Sequence, residues 1–203
     1  MLNLSPQRIL IVKPSSLGDI VHALPVLAEI HRSFPESQID WVVAKGFEGL
    51  LEQHPMIHRL WIIQKDRWKN IRSLQQTAAE IRELFRSLRA QHYDLAIDLQ
   101  GLLRSGLIMH ATHAPVRIGF AEAREGSRMF YTHTVSGGRD IHAVDRYLKI
   151  AAEIGCKLDT VVFPFPIIEA SAQVRRIIES LGTYAVLVPG ARWATKRWPM
   201  DRF

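Results

Sequence analysis

A single cysteine, Cys156, in 203 residues leaves nothing from which to build an internal disulfide framework. A chain of that kind fits a reducing compartment. No apolar run is longer than a strand, so no segment is expected to span a bilayer as a helix. The opening MLNLSPQR lacks a charged stretch followed by an apolar core, and no secretory signal is expected. Repeats and low-complexity stretches are missing as well. No Gly-Lys-Ser/Thr ending closes the first glycine-bearing loop, which excludes a Walker-type phosphate loop. No G-x-G-x-x-G follows the first apolar run, which disfavours a dehydrogenase-like dinucleotide site. Helix-turn-helix, zinc and RNA-binding signatures are absent, so a nucleic-acid partner is not expected. No cluster of metal-ligating residues is visible, and neither a metal nor a cofactor is expected.

What remains is an ordinary globular composition, 47% hydrophobic and 23% charged. The formal net charge of +6 favours an acidic partner. Net charge speaks to association and not to fold, so this is a weak pointer.

The hydrophobic pattern alternates in type. Ile9–Val12 is a short continuous apolar run, as expected of a strand buried on both faces. Ile20, Leu24, Leu27, Ile30 and Phe34 then recur at helical spacing, with Pro25 inside the run and Pro35 ending it. Strands are predicted over residues 39–44, 60–63, 95–97 and 116–119, with an edge strand over 131–135. Helices are predicted over 77–89, 102–111 and 143–154, with a shorter one over 47–53. Strand and helix in alternation imply an α/β fold, a doubly wound parallel sheet with helices on both faces. Residues 1–160 form the expected domain and 161–168, with Pro164 and Pro166, an extended linker. Beyond it, a helix over 170–181 and one more buried strand over Tyr184–Val188 are expected, then a helix starting near Pro199. An isolated strand and helix cannot bury a core, so residues 169–203 are expected to be the start of a second domain.

Three loops lie at the carboxyl ends of predicted strands, where open parallel sheets bind ligands. In the first, Lys13–Asp19, Gly18 permits close approach of a ligand to the backbone. Asp19 is either the N-cap of the next helix or a carboxylate ready to take a hydroxyl proton, kept ionised by the helix N-terminus. Ser15 and Ser16 either donate to a ligand or satisfy loop backbone, and His22, one turn on, lines the same mouth or packs. In the second loop, Asp98 caps or binds, while Gln100 and Arg104 are candidates for contact with a sugar or carboxylate. In the third, Gly190, Thr195 and Lys196 precede a predicted helix, an arrangement that suits a phosphate. The basic segment 65–72, which includes Arg67 and Trp68, is a solvated face by default and otherwise suits an anionic lipid or sugar acid.

Four runs carry a resemblance. Residues 9–25, ILIVKPSSLGDIVHALP, closely resemble the opening of the bacterial lipopolysaccharide heptosyltransferases, glycosyltransferase family 9. Residues 93–101 (YDLAIDLQG), 142–147 (HAVDRY) and 196–199 (KRWP) resemble that family's internal strand and loop, the helix closing its first domain, and its donor-phosphate loop. Asp40-Trp-Val-Val43 leans toward the heptosyltransferase I branch.

The resemblance implies a GT-B enzyme with two Rossmann-like domains. The N-terminal one would take the Kdo inner core of a lipid A precursor and the C-terminal one ADP-heptose. Asp19 matches the general base, which would accept the acceptor's proton in an inverting transfer. Lys196 matches the lysine that neutralises the leaving ADP. Ser15, Ser16, Gly18, His22, Arg67, Gln100 and Arg104 would serve the acceptor, and Gly190, Thr195 and Lys196 the donor phosphates. The family generally needs no protein-bound metal. A cytoplasmic protein is implied, peripheral at most on the inner membrane. Where relatives carry more hydroxyl residues this chain has Ala191 and Arg192. The family's later acidic donor motif lies beyond the sequence, so the chain alone is expected to be catalytically incomplete. Two alternatives stay open: a ligand-binding module without catalysis, and a family member that moves another nucleotide sugar.

Overall fold

The computed structural model describes residues 2, 4–64, 74–138, 140–167, 169–188, 190–191 and 194–202. It divides into two units, Met1–Pro166 and Ile167–Phe203.

The first unit is a six-stranded sheet flanked by helices. Its strands are β1 (Arg8–Val12), β2 (Gln38–Ala44), β3 (Arg59–Ile63), β4 (Leu95–Asp98), β5 (Val116–Phe120) and β6 (His133–Val135). Its helices are α1 (Leu17–Ser33), α2 (Leu74–Arg89), α3 (Leu103–Ala111) and α4 (Ala143–Glu153). The strand order is β3-β2-β1-β4-β5-β6 and every pair is parallel. The chain lays β2 and β3 to one side of β1, then crosses over and lays β4, β5 and β6 to the other. The topological switch point therefore falls between β1 and β4.

The continuous apolar run in β1 has its cause in this arrangement. Ile9 and Ile11 join the core under α1 and α4, with Leu24, Leu27, Trp41, Ile97, Phe120 and Leu148. Leu10 and Val12 join a second core on the opposite face, with Val42, Ala96, Ile108 and Met109. A strand with successive side chains on opposite faces must be apolar throughout when both faces are covered. α1 runs as one helix through Pro25, which is buried. Where a helix was expected over 47–53, only a single 3-10 turn, Glu48–Leu50, forms before a run of turns.

In the second unit the helix appears as α5 (Ala172–Leu181), with Ser171 as its N-cap. The buried strand expected over Tyr184–Val188 does not form. Those residues form no regular element, and Val188 is 82% exposed. A strand is stable only beside partners that take its backbone hydrogen bonds and cover its side chains, and this unit offers none among its described residues. Near Pro199 the expected helix is a 3-10 turn, Met200–Arg202, preceded by another at Ala194–Lys196. No helix among the described residues is long and apolar enough to cross a membrane.

Candidate active site

The loops that follow β1 and β4 meet at the switch point. Leu99 N donates to the Val12 carbonyl at 3.1 Å, extending the ladder one residue past the strands. Ser15 N reaches Gln100 Oε1 at 3.4 Å, joining the two loops directly.

Asp19 is not the N-cap of α1. Ser16 holds that position, and Asp19 lies three residues on, in the first turn. Its Oδ2 accepts from the Ser16 N–H at 2.9 Å and from the Ser16 hydroxyl at 2.6 Å. This is capping-box geometry, with an acidic side chain reaching back to the N-cap backbone. Both bonds fall on one oxygen, and Oδ1 has no hydrogen-bond partner among the described residues. Burial disfavours the Asp19 charge, but the two Ser16 bonds, Lys13 and His22 outweigh it and hold the carboxyl below its ordinary value. Asp19 is thus anchored through one oxygen, ionised at neutral pH and half-exposed at the mouth.

Gly18, beside it, is exposed, and a Cβ there would meet nothing within 4 Å. Packing therefore does not require glycine. Gly18→Ala is expected to leave the thermal melt unchanged or slightly raised, because alanine in a helix is worth about 0.5–1 kcal/mol over glycine. If a ligand lies against this backbone, the same variant weakens its binding in a calorimetric titration.

Asp98 ends β4 and is fully buried. Its Oδ1 accepts from Gln100 N at 2.7 Å and Gly101 N at 2.9 Å, and the Tyr131 hydroxyl donates to Oδ2 at 2.6 Å. Burial raises its pKa against those bonds. With its acceptors taken by the loop and by Tyr131, Asp98 shapes the turn and does not cap α3, whose N-cap is Leu102. Gly101, at φ +69°, closes that turn in a conformation other residues rarely adopt.

α4 supplies residues whose roles the sequence pattern did not show. His142, its N-cap, lies ring to ring with His22 of α1, centroids 5.1 Å apart. Arg146 stacks on Phe120 at 4.4 Å, and its buried Nε has no hydrogen-bond partner among the described residues. Arg146 lines a recess of about 290 Å³ together with Gln100, Gly101, Glu122, Ala123 and Arg124. Tyr147 is buried, and its hydroxyl is pushed up to about 12 by burial and by the Asp19 charge, against Arg146. Lys13, the residue after β1, is also buried; its Nζ donates to the Leu99 carbonyl at 3.1 Å.

Glu122 frames the recess. It accepts from Gly137 N, Gly138 N and the Ser136 hydroxyl at 3.0–3.2 Å. The Gly137 and Gly138 bonds hold it down to about 2, against an ordinary 4.5. A depressed carboxyl contributes stability above pH 4.5 and loses it as pH falls toward 2. Glu122→Gln is expected to flatten the acid end of the stability profile in that window, read by urea melts at pH 2.5, 4 and 6.

Of the acceptor-side residues, the structure brings together Ser15, Ser16, Gly18, Asp19, His22 and Gln100. Arg104 is half-buried in the first turn of α3 and does not line the recess. Arg67, with the rest of 65–73, lies outside the described residues. In the second unit, Thr195 and Lys196 line a concavity of about 620 Å³ with Arg197, Trp198 and Arg202; Gly190 is not among its lining residues. No group of three or more His, Cys, Asp or Glu side chains able to hold a metal occurs among the described residues.

A six-stranded, wholly parallel sheet wound in both directions from β1 and flanked by helices defines the doubly wound α/β class. The comparisons place it further. The family model described as glycosyltransferase family 9 (heptosyltransferase) matches residues 81–203. Lipopolysaccharide heptosyltransferase 1 of Pseudomonas aeruginosa is 34% identical over 203 residues, covering 95% of this chain and 54% of the relative. Its counterpart in Escherichia coli K12 is 29% identical, covering 97% and 62%. The solved structure of E. coli heptosyltransferase WaaC with ADP-2-deoxy-2-fluoro heptose superposes with a TM-score of 0.78 at 28% identity, over 96% of this chain and 62% of that one. A family 9 glycosyltransferase from Veillonella parvula shares the fold at TM-score 0.78 and 23% identity. The chain belongs to glycosyltransferase family 9, and its sheet is the expected Rossmann-like fold of those enzymes. It spans between half and two thirds of the length of the relatives it matches.

Proposed function

We propose that this chain carries the acceptor half of a lipopolysaccharide heptosyltransferase, which moves heptose from ADP-heptose to the Kdo inner core with inversion. The observation that carries this reading is Asp19, beside the loop after β1 at the switch point: Ser16 holds one carboxylate oxygen, and the other has no hydrogen-bond partner among the described residues. An acceptor hydroxyl placed against Oδ1 gives its proton to Asp19 as its oxygen attacks the anomeric carbon and ADP leaves. The cations Lys13, Arg124 and Arg146 suit an acidic sugar. Lys196, in the second unit, sits in a basic concavity suited to the diphosphate. WaaC has been solved with ADP and with an ADP-heptose analogue, which supports a nucleotide-sugar donor. On this reading the acceptor lipid is met at the cytoplasmic face of the inner membrane.

A second observation limits the first. No residue of the second unit is buried among those described, so its concavity has no core behind it. The 203-residue chain alone therefore binds acceptor but transfers no sugar. The test is calorimetry of the chain with a Kdo-bearing lipid A acceptor, followed by transfer assays on the chain alone and on the chain fused to the C-terminal half of the E. coli relative. Acceptor binding by the chain and transfer by the fusion alone are expected. Absence of acceptor binding overturns the functional reading, and transfer by the unfused chain overturns its incompleteness.

A further inference from the structure

Lys13 is a lysine in an unusual place. It follows four buried apolar residues of β1 and is 3% exposed. Its backbone is pinned on one side of the strand: its N–H donates to Val42 at 3.3 Å and its carbonyl accepts from Trp41 Nε1 at 3.2 Å. The side chain runs the other way, toward β4, where Nζ donates to Leu99 O. It also lies 5.2 Å from the centre of the Tyr147 ring, a cation–π distance.

An ammonium has three N–H donors. One goes to Leu99, and no other hydrogen-bond acceptor for Nζ is found among the described residues. If packing were the only requirement, leucine or methionine would fill this place without a desolvated charge. The charged groups that act on Lys13 come from three elements: Asp19 of α1 and Asp98 of β4 favour its charge, and Arg146 of α4 opposes it. Burial draws the amine down to about 8, the carboxylates working the other way.

We propose that Lys13 is a positioning residue of the acceptor site: its buried ammonium ties the ends of β1 and β4 to α4 and supplies the positive charge that holds an anionic ligand beside Asp19. The proposal rests on the acceptor-site reading and deepens it. An acidic sugar brought to the mouth adds a second negative charge near Asp19. A neutral lysine would leave the two anions to repel, so binding recruits a proton to Nζ. At pH 8.5, anion binding and proton uptake by Lys13 are one linked event.

Two measurements on the 203-residue chain test this. In the first, the side-chain carbon next to Nζ of Lys13 is titrated by NMR in wild type and in Asp19→Asn. A midpoint near 8 that moves lower in the variant is expected. A midpoint above 10, or one indifferent to Asp19, overturns the proposal. In the second, binding of the sugar acid Kdo and of its methyl ester is followed by calorimetry at pH 8.5 in two buffers of different ionisation heat. Wild type is expected to take up protons with Kdo and not with the ester. Lys13→Met is expected to lose that uptake and to bind Kdo about tenfold more weakly, with ester binding unchanged. Lys13→Arg is expected to restore affinity without proton uptake, since a guanidinium stays charged. Equal Kdo affinity in wild type and Lys13→Met overturns the proposal. Failure of wild type to bind any Kdo compound overturns the acceptor-site reading instead, and the NMR midpoint still decides the charge coupling.

Discussion

Asp19→Asn in the fused enzyme is expected to lower the transfer rate by about 10²–10⁴-fold, the usual contribution of a general base, while acceptor affinity stays nearly unchanged. Asparagine is isosteric, and its side-chain oxygen can still accept from the Ser16 N–H, so the first turn of α1 keeps its geometry. What is lost is the second carboxylate oxygen, the proposed base. The loss therefore appears in kcat with KM held, the signature of an interaction made only in the transition state. The pH profile carries a second expectation. Asp19 is held below its ordinary value of 3.8, so the base is ionised at every pH above that, and the acid limb of the wild-type rate lies below it. Transfer by Asp19→Asn within tenfold of wild type would mean that another group takes the proton.

The second large effect concerns stability. Lys13→Met is expected to make the first unit more stable at pH 7, although Lys13 serves binding. Below pH 8 the folded chain carries a buried ammonium that the unfolded chain would hold in water. Between about 8 and 10.5 the folded state gives up that proton while the unfolded state keeps it, so wild-type stability rises with pH through this window. The penalty at pH 7 is about 3 kcal/mol, from the size of the shift. Loss of the bond to the Leu99 carbonyl offsets about 1 kcal/mol of the gain, leaving a net rise of about 2 kcal/mol. Denaturant melts at pH 7, 8.5 and 10 read this directly: the variant should start higher and lack the rise that wild type shows. A variant less stable at pH 7, with the pH slope of wild type, contradicts the account. A residue whose removal strengthens the fold is in place for a reason other than the fold.

The sheet was legible because its chemistry is local. Ile9–Val12 and Leu95–Ile97 are apolar on both faces, and only a covered parallel strand makes that pattern favourable. The buried face of α1 followed from helical spacing. Tyr184–Val188 has the same pattern and forms no strand. An apolar β-prone run states what a segment would bury and says nothing of whether partners are present to bury it.

The site divides along the same line. Gly18 and Asp19 lie in the first turn of α1 and Gln100 in the loop after β4, all within the sequence runs that marked them. Lys13, Arg146 and Tyr147 lie in those same runs, but their roles come from topology: the crossover that sets β4 beside β1 also brings α4 over the mouth. Tyr131 holds Asp98 from 33 residues away. One signal was available for Lys13, a lone cation directly after four buried apolar residues, where a solvated side chain was the ordinary expectation. Asp19 was weighed as a helix cap against a base; Ser16 is the cap, Asp19 braces it, and the base is its proposed role. One oxygen holds the cap, and the other has no hydrogen-bond partner among the described residues.

The central claim is that Oδ1 of Asp19 faces the hydroxyl that attacks. A crystal structure of this chain with a Kdo-bearing lipid A acceptor tests it most directly. The account predicts one acceptor hydroxyl within hydrogen-bond distance of Asp19 Oδ1, with Oδ2 still bonded to Ser16 and the sugar carboxylate on the side of Lys13 and Arg146. An acceptor bound with no hydroxyl near Asp19, or with both carboxylate oxygens turned to Ser16, would contradict it.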